Sequence, residues 1–204
     1  MPRPGPIGSL VLALGPGSPA QDRARRLGIM PAVLDHIYLI VTGAGTARRV
    51  PALLERLCQL GRRVVVVPTP NAGRIVSPRE LVLAFPEGSP HRVVESYFDE
   101  AILPRPPDGL CLVAPCSFDS LNKLALGIAD NLALSIVAEA IGRATPVVVA
   151  VSVNPPLWAH PRTRESVERL SDWGVDVIEP VESDGYLTLA PDEAILARVQ
   201  RALV

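Results

Sequence analysis

A turn rich in small residues stands directly behind the first long apolar run of the chain, and its residue types suit an anion. Ile37-Tyr38-Leu39-Ile40-Val41 runs into Thr42-Gly43-Ala44-Gly45-Thr46. Backbone N–H groups and hydroxyls at the entrance to a helix are where a single phosphate is held. Two tests separate a dinucleotide from a mononucleotide. The third glycine of G-x-G-x-x-G would fall at position 48, which is Arg48, and the second strand ends Val67-Pro68-Thr69 where a ribose-binding acid is expected. NAD is therefore disfavoured. A mononucleotide such as FMN fits Thr42 to Thr46 and Thr69 better, although Gly and Thr at a strand–helix turn are also ordinary turn chemistry.

A second group of polar side chains follows a later apolar run. Ala114-Pro115-Cys116 leads into Ser117-Phe118-Asp119-Ser120, and Ser117, Asp119 and Ser120 can each cap the next helix and offer hydrogen bonds to a polar ligand. A third group is Asn154-Pro155-Pro156-Leu157-Trp158-Ala159-His160-Pro161. His160 falls at the sheet edge where ligands gather and is the better catalytic candidate of the loop histidines. His91, after Gly88-Ser89-Pro90, reads as a solvated loop residue. Cys116 reads as a small buried thiol and Cys58 as core.

The elements that must position these residues alternate regularly from residue 36. Apolar runs at 37–41, 64–67, 110–114, 147–153 and 175–178 predict buried strands, with a short further strand at Val93–Val94. Between them Val50, Leu53, Leu54, Leu57 and Leu60 recur at helical spacing, and further helical patterns cover 117–126, 131–141, 163–173 and 191–203. Apolar strands alternating with amphipathic helices predict an α/β fold, a parallel sheet with helices on both faces. Ligands in such a sheet bind at the carboxyl ends of the strands, which directs attention to loops 42–47, 68–78, 114–120 and 153–162. Pro104-Arg105-Pro106-Pro107 reads as a stiff crossover connector.

Composition sets the outer limits. The chain has 204 residues, 48% hydrophobic but 4% aromatic, with 22 Pro and a formal net charge of −1. That length suits one domain with a full core, and the neutral balance argues against a nucleic-acid or anionic-membrane binder. Three cysteines are too few and too scattered for a disulfide framework or a zinc site, so no metal is expected and a cytoplasmic setting is the default. Residues 1–35 are rich in Pro and Gly and read as a poorly ordered extension, or as an over-long start, ahead of a domain over 36–204; a secretory signal fits them less well. No apolar stretch approaches the roughly 18 residues of a membrane span.

Taken together, these segments resemble the flavoprotein family of homo-oligomeric flavin-containing cysteine decarboxylases, phosphopantothenoylcysteine decarboxylase-like. Pro115–Ser120, followed by Lys123, Gly127, Asp130 and Asn131, is similar to the family's Pro-Ala-Ser/Thr-Ala-Asn-Thr stretch and the motif after it. Val151 to Pro161 is similar to its Pro-Ala-Met-Asn motif and keeps Asn154, Trp158 and Pro161. The turn at Thr42–Thr46 and the run Thr69 to Pro78 match in order. The resemblance covers about residues 36–180, nearly a whole domain. It implies a three-layer, Rossmann-like (flavodoxin-like) fold and FMN lying between Gly43, Ala44, Gly45, Thr46, Thr69, Ser77, Ser117, Phe118, Asp119 and Ser120. It further implies FMN-dependent oxidation or oxidative decarboxylation of a small thiol or cysteine-ended peptide positioned by Asn154, in a trimer or dodecamer. Leu132, Leu134, Ile136 and Val137 would serve either a subunit interface or the core.

Three departures mark this chain as a divergent member. The family histidine sits about fourteen residues before the motif proline, a natural general base at neutral pH. Counting back from Pro115 reaches Ala101, and no His lies between His91 and His160. The tail Val181 to Leu187 has no Cys where phosphopantothenoylcysteine decarboxylases carry a cysteine-bearing lid, and the motif Asn is Asp119. The alternative reading is a flavin-binding or structural subunit that has lost decarboxylase chemistry.

Overall fold

The computed structural model describes residues 34–103, 109–183 and 185–204. Most of the 1–35 extension and the whole Pro104–Pro107 connector lie outside these residues. Six strands form one parallel sheet: β1 (His36–Val41), β2 (Arg63–Pro68), β3 (Arg92–Val93), β4 (Gly109–Cys116), β5 (Val147–Val151) and β6 (Asp176–Ile178), in spatial order β3-β2-β1-β4-β5-β6. This is the order of a dinucleotide-binding sheet. Without the two-residue edge strand β3, the remaining five strands follow the flavodoxin order, so both names describe the sheet.

The aliphatic runs form strands because both faces of each strand are covered. Ile37, Leu39 and Val41, with Val64, Val66, Leu110 and Leu112, face one core; Tyr38, Ile40, Val65, Val67, Cys111 and Val113 face the other. The first core is closed by α1 (Val50–Cys58), α2 (Pro78–Leu83) and α7 (Asp192–Ala202), through Leu53, Leu54, Leu81, Ile195 and Val199. The second is closed by α3 (Phe118–Leu126), α4 (Leu132–Gly142) and α6 (Pro161–Asp172), through Leu121, Leu124, Val137 and Leu170. The four-residue α5 (Pro155–Trp158) leads into α6. A small antiparallel hairpin, β7 (Val181–Ser183) and β8 (Tyr186–Thr188), stands apart from the sheet.

Several boundaries differ from the sequence reading. β4 extends to Cys116, whereas β5 stops at Val151, releasing Ser152 and Val153 to the loop. Periodicity does not reveal the hairpin, and α2 is too short to show a period. Leu132, Leu134, Ile136 and Val137 are all buried in the second core, at 8% exposure or less, so they serve the core and not a subunit contact.

Gly45–Arg49 forms a 3-10 turn between β1 and α1. Its last residue reaches across the molecule: the Arg49 guanidinium donates to the carbonyls of Leu189 and Ala190 at 3.0 and 3.3 Å and pairs with Asp192 at 3.0 Å. The chain entering α7 is thereby fastened to the turn that follows β1.

Candidate functional site

The order of the sheet reverses between β1 and β4, and the loops leaving the carboxyl ends of these strands diverge to opposite faces. A cavity of about 790 Å³ opens there. It is lined by the β1 loop (Gly43 to Thr46), the β2 loop (Thr69, Pro70, Asn71), the start of α3 with Lys123, and the β5 loop. Asp130, Asn131, Leu157 and Leu187 complete the wall.

Hydrogen bonds fasten these loops to one another. The buried Thr42 hydroxyl donates to the Pro115 carbonyl at 2.8 Å and accepts from the Ser117 N–H at 2.8 Å, joining the β1 and β4 loops. The Thr46 and Ser152 hydroxyls are 2.7 Å apart, joining the β1 and β5 loops. Thr69 accepts from the Ala72 N–H at 3.3 Å, and its own N–H donates to the Val41 carbonyl. Gly43 lies so close to the β2 loop that a Cβ there would stand 2.8 Å from the Asn71 Cβ. Glycine at this position is a requirement of close approach.

Three helix N-termini open on the cavity, each capped by a residue of its wall. Ser117 accepts from the Ser120 N–H, Asn131 Oδ1 from the Leu134 N–H at 3.1 Å, and Asn154 Oδ1 from the Leu157 N–H at 3.1 Å. Using Oδ1 for the cap leaves the Asn154 NH₂ as a donor for a ligand. Lys123 sits between two carboxylates, 2.9 Å from Asp130 and 3.2 Å from Asp119. The hydrogen bonds that Lys123 donates to Asp130 and then Asp119 raise its pKa, and Lys123 lowers that of Asp130.

The cavity brings together Gly43, Ala44, Gly45, Thr46, Thr69, Ser117, Phe118, Asp119, Ser120 and Asn154. Two expected residues fall outside it. Ser77 is the N-cap of α2, bound in a reciprocal box with Glu80: its hydroxyl accepts from the Glu80 N–H while the carboxylate accepts from the Ser77 N–H at 2.7 Å. His160 caps α6, accepting from the Arg162 N–H at 3.1 Å through Nδ1, and its ring stands edge-on to Phe118 at 5.3 Å. It backs a lining residue without lining the cavity itself.

His91 lies at the other end of the sheet, where Nδ1 accepts from the Val64 N–H at 3.0 Å near the start of β2. It is partly buried there, not the solvated loop residue the sequence suggested. Among the described residues, no histidine, arginine or cysteine lines the cavity. Cys116 is fully buried, and burial pushes its thiol far above the usual range, in keeping with an inert core residue. The lining residues that sequence reasoning passed over are chiefly Ser152 and Leu187. Ser152 was hidden by reading β5 two residues too long, and Leu187 by the missing hairpin.

Comparison with known proteins gives this arrangement a family. The chain matches the model of the Flavoprotein family over residues 32–203. It is 32% identical over 174 residues to phosphopantothenoylcysteine decarboxylase of Mus musculus, covering 80% of this chain and 84% of the mouse protein. It is 29% identical over 171 residues to the coenzyme A biosynthesis bifunctional protein CoaBC of Thermococcus kodakarensis; the match takes in 82% of this chain but only 42% of that longer protein. In fold it is similar to the crystal structure of HAL3 from Cryptococcus neoformans, with a TM-score of 0.70, 24% identity and coverage of 83% of this chain and 96% of that one. A match spanning nearly the whole sheet and the loops that wall the cavity makes this chain a member of the Flavoprotein family.

Proposed function

We propose that this chain binds FMN in the cavity at the β1/β4 crossover and oxidises a small thiol or a cysteine-ended peptide, with decarboxylation following where the substrate carries a neighbouring carboxylate. The observation that carries the reading is the close, glycine-dependent approach of the β1 and β2 loops at Gly43, beside the Thr46–Ser152 hydroxyl pair. A backbone cradle with hydroxyls suits a phosphate, and about 790 Å³ is ample for a mononucleotide. Membership of the Flavoprotein family supports the same cofactor class.

In this reading Gly43 to Thr46 and Ser152 hold the phosphate, and Thr69, Ser117 and Ser120 hold the polar edge of the ring system. When bound, FMN supplies a two-electron acceptor for the thiol-bearing carbon. Loss of the S–H proton to solvent and of a hydride from that carbon leaves a thioaldehyde. This can lose an adjacent carboxylate as CO₂, the pair of the broken bond forming a C=C bond as the C=S pair passes to sulfur to give an enethiolate. Asn154 orients the substrate by donating from its NH₂, its Oδ1 being fixed by the α5 cap. Phe118 closes the wall, supported from behind by His160.

A second reading, a flavin carrier without turnover, is favoured by the lack of any histidine among the described lining residues. The visible spectrum of the purified protein, followed by anaerobic addition of cysteine-ended thiols, separates the two. A yellow protein bleached by thiol supports the enzyme, and one that no thiol bleaches supports the carrier. A colourless protein that takes up no FMN overturns both. Asn154→Ala should keep the flavin and reduce turnover by at least about a hundredfold, the scale of lost substrate positioning; unchanged turnover would remove Asn154 from the mechanism.

The proposal extends to a homo-oligomer, a trimer or a dodecamer built from trimers, in the cytoplasm. Exposed Tyr97 and Phe98, at 50% and 85%, together with Leu103, Leu126 and Ile128, supply apolar area for subunit contact. Among the described residues no helix is long and apolar enough to cross a membrane.

A further inference from the structure

The charges in the cavity wall are unbalanced. Asp119, Asp130 and Lys123 are the charged residues among its described lining, a formal sum of −1, and Lys123 is already shared by both carboxylates. The partial positive ends of α3 and α4 do not reverse this. Asp119 lies in the first turn of α3, and Asp130 immediately precedes the Asn131 cap of α4, so each helix end already faces a carboxylate. The Asp119 side chain remains 66% exposed despite its ion pair, and the residue lines the cavity. A bound phosphate monoester would add further negative charge to the same cavity.

We propose that Asp119 is a specificity-determining residue that selects thiol substrates carrying a cationic group and rejects those carrying an extra anion beside α3. The inference rests on the FMN reading above and adds the substrate's charge class to it. An acidic group opposite α3 finds no uncommitted cation among the described lining residues and is repelled by Asp119. A primary ammonium finds a carboxylate open to solvent on one side and able to accept its hydrogen bonds. An amide at position 119 would draw no such distinction, which makes the acid a property of this chain and not of the scaffold.

The test uses FMN-loaded protein and three N-terminally capped dipeptides, Lys-Cys, Ala-Cys and Glu-Cys, which keep the thiol and terminal carboxylate constant while the neighbouring charge changes. Binding is read under anaerobic conditions from the difference spectrum of protein whose flavin has first been reduced with dithionite, so that no thiol can be oxidised and the equilibrium is independent of turnover. Wild-type protein should bind Lys-Cys about tenfold more tightly than Glu-Cys, with Ala-Cys between them and the spread shrinking as salt is raised. Asp119→Asn should bring the ratio to within about twofold of unity, while Lys123→Gln, which removes the cation, should widen it. Opposite shifts from two neighbouring variants are not produced by general loosening of the wall. A yellow protein that binds Glu-Cys as well as Lys-Cys, that responds to none of the three, or whose preference survives Asp119→Asn overturns the charge rule and leaves the FMN reading standing. Failure to take up FMN overturns both.

Discussion

At the scale of single residues, the cavity depends on a few atoms whose neighbours leave them little freedom. Gly43 is the sharpest case, because its close approach to Asn71 sets how near the β1 and β2 loops can come. In Gly43→Ala the methyl group would overlap a Cβ and not the free end of a side chain, so backbone must move. We expect a loss of about 1–3 kcal/mol in stability, typical of overpacking, and at least about tenfold weaker FMN retention if the loop holds the phosphate. Urea unfolding and dialysis against flavin-free buffer measure the two effects. Unchanged flavin retention would place the phosphate elsewhere. Gly43, Thr46 and Ser117, which line the cavity, were legible as loop residues from their types and their places after apolar runs, whereas Asn154 was singled out by the family resemblance. For His160 the strand-end rule locates the loop but does not say which way the ring points once its Nδ1 caps a helix.

The elements show the same division between what pattern reveals and what local chemistry decides. The long Val-rich runs and the periodic helices were readable, since burial on both faces leaves an unbroken apolar stretch. The short pieces were not: α2 has six residues and the hairpin strands three each, too few for a period to appear. The family resemblance implies Ser77 beside the cofactor, yet its hydroxyl and backbone are engaged with Glu80. The hydrogen bonds from Ser77 hold the Glu80 carboxyl below its usual pKa. Ser77→Ala should therefore destabilise by about 1 kcal/mol through loss of the cap while FMN affinity stays unchanged. Equilibrium unfolding and flavin titration of this variant check both halves, and weakened flavin binding would return Ser77 to the site.

For the whole molecule, two histidines away from the cavity set a pH dependence of stability. Burial, and secondarily the charge of Arg63, lower the pKa of both His36 and His91 below 6.5. Each is kept neutral in the folded state: His36 Nδ1 is buried without a hydrogen-bond partner, and His91 Nδ1 accepts a β2 N–H. As pH falls below about 6.5, the unfolded chain takes up these protons before the folded one does, so stability declines from there down to the folded-state values and then levels. Urea midpoints should be steady from pH 7 to 8 and drop as pH falls below about 6.5. In His91→Gln the drop should be smaller, and an unaltered slope would assign the effect to other groups.

The bridge from Arg49 to Leu189, Ala190 and Asp192 also bears on the order of events during synthesis. The residues it joins are about 140 positions apart, yet one of them ends the turn that follows the β1 loop. A ribosome delivers the glycine loop early and its fastening about 140 residues later. Until the segment around Asp192 has left the exit tunnel, that turn has no partner at the far end, however complete the sheet beside it is. Firm fastening of this loop on that account waits for the segment around Asp192, and α7, near Leu187 in sequence but far from the rest of the lining, acts as its latch.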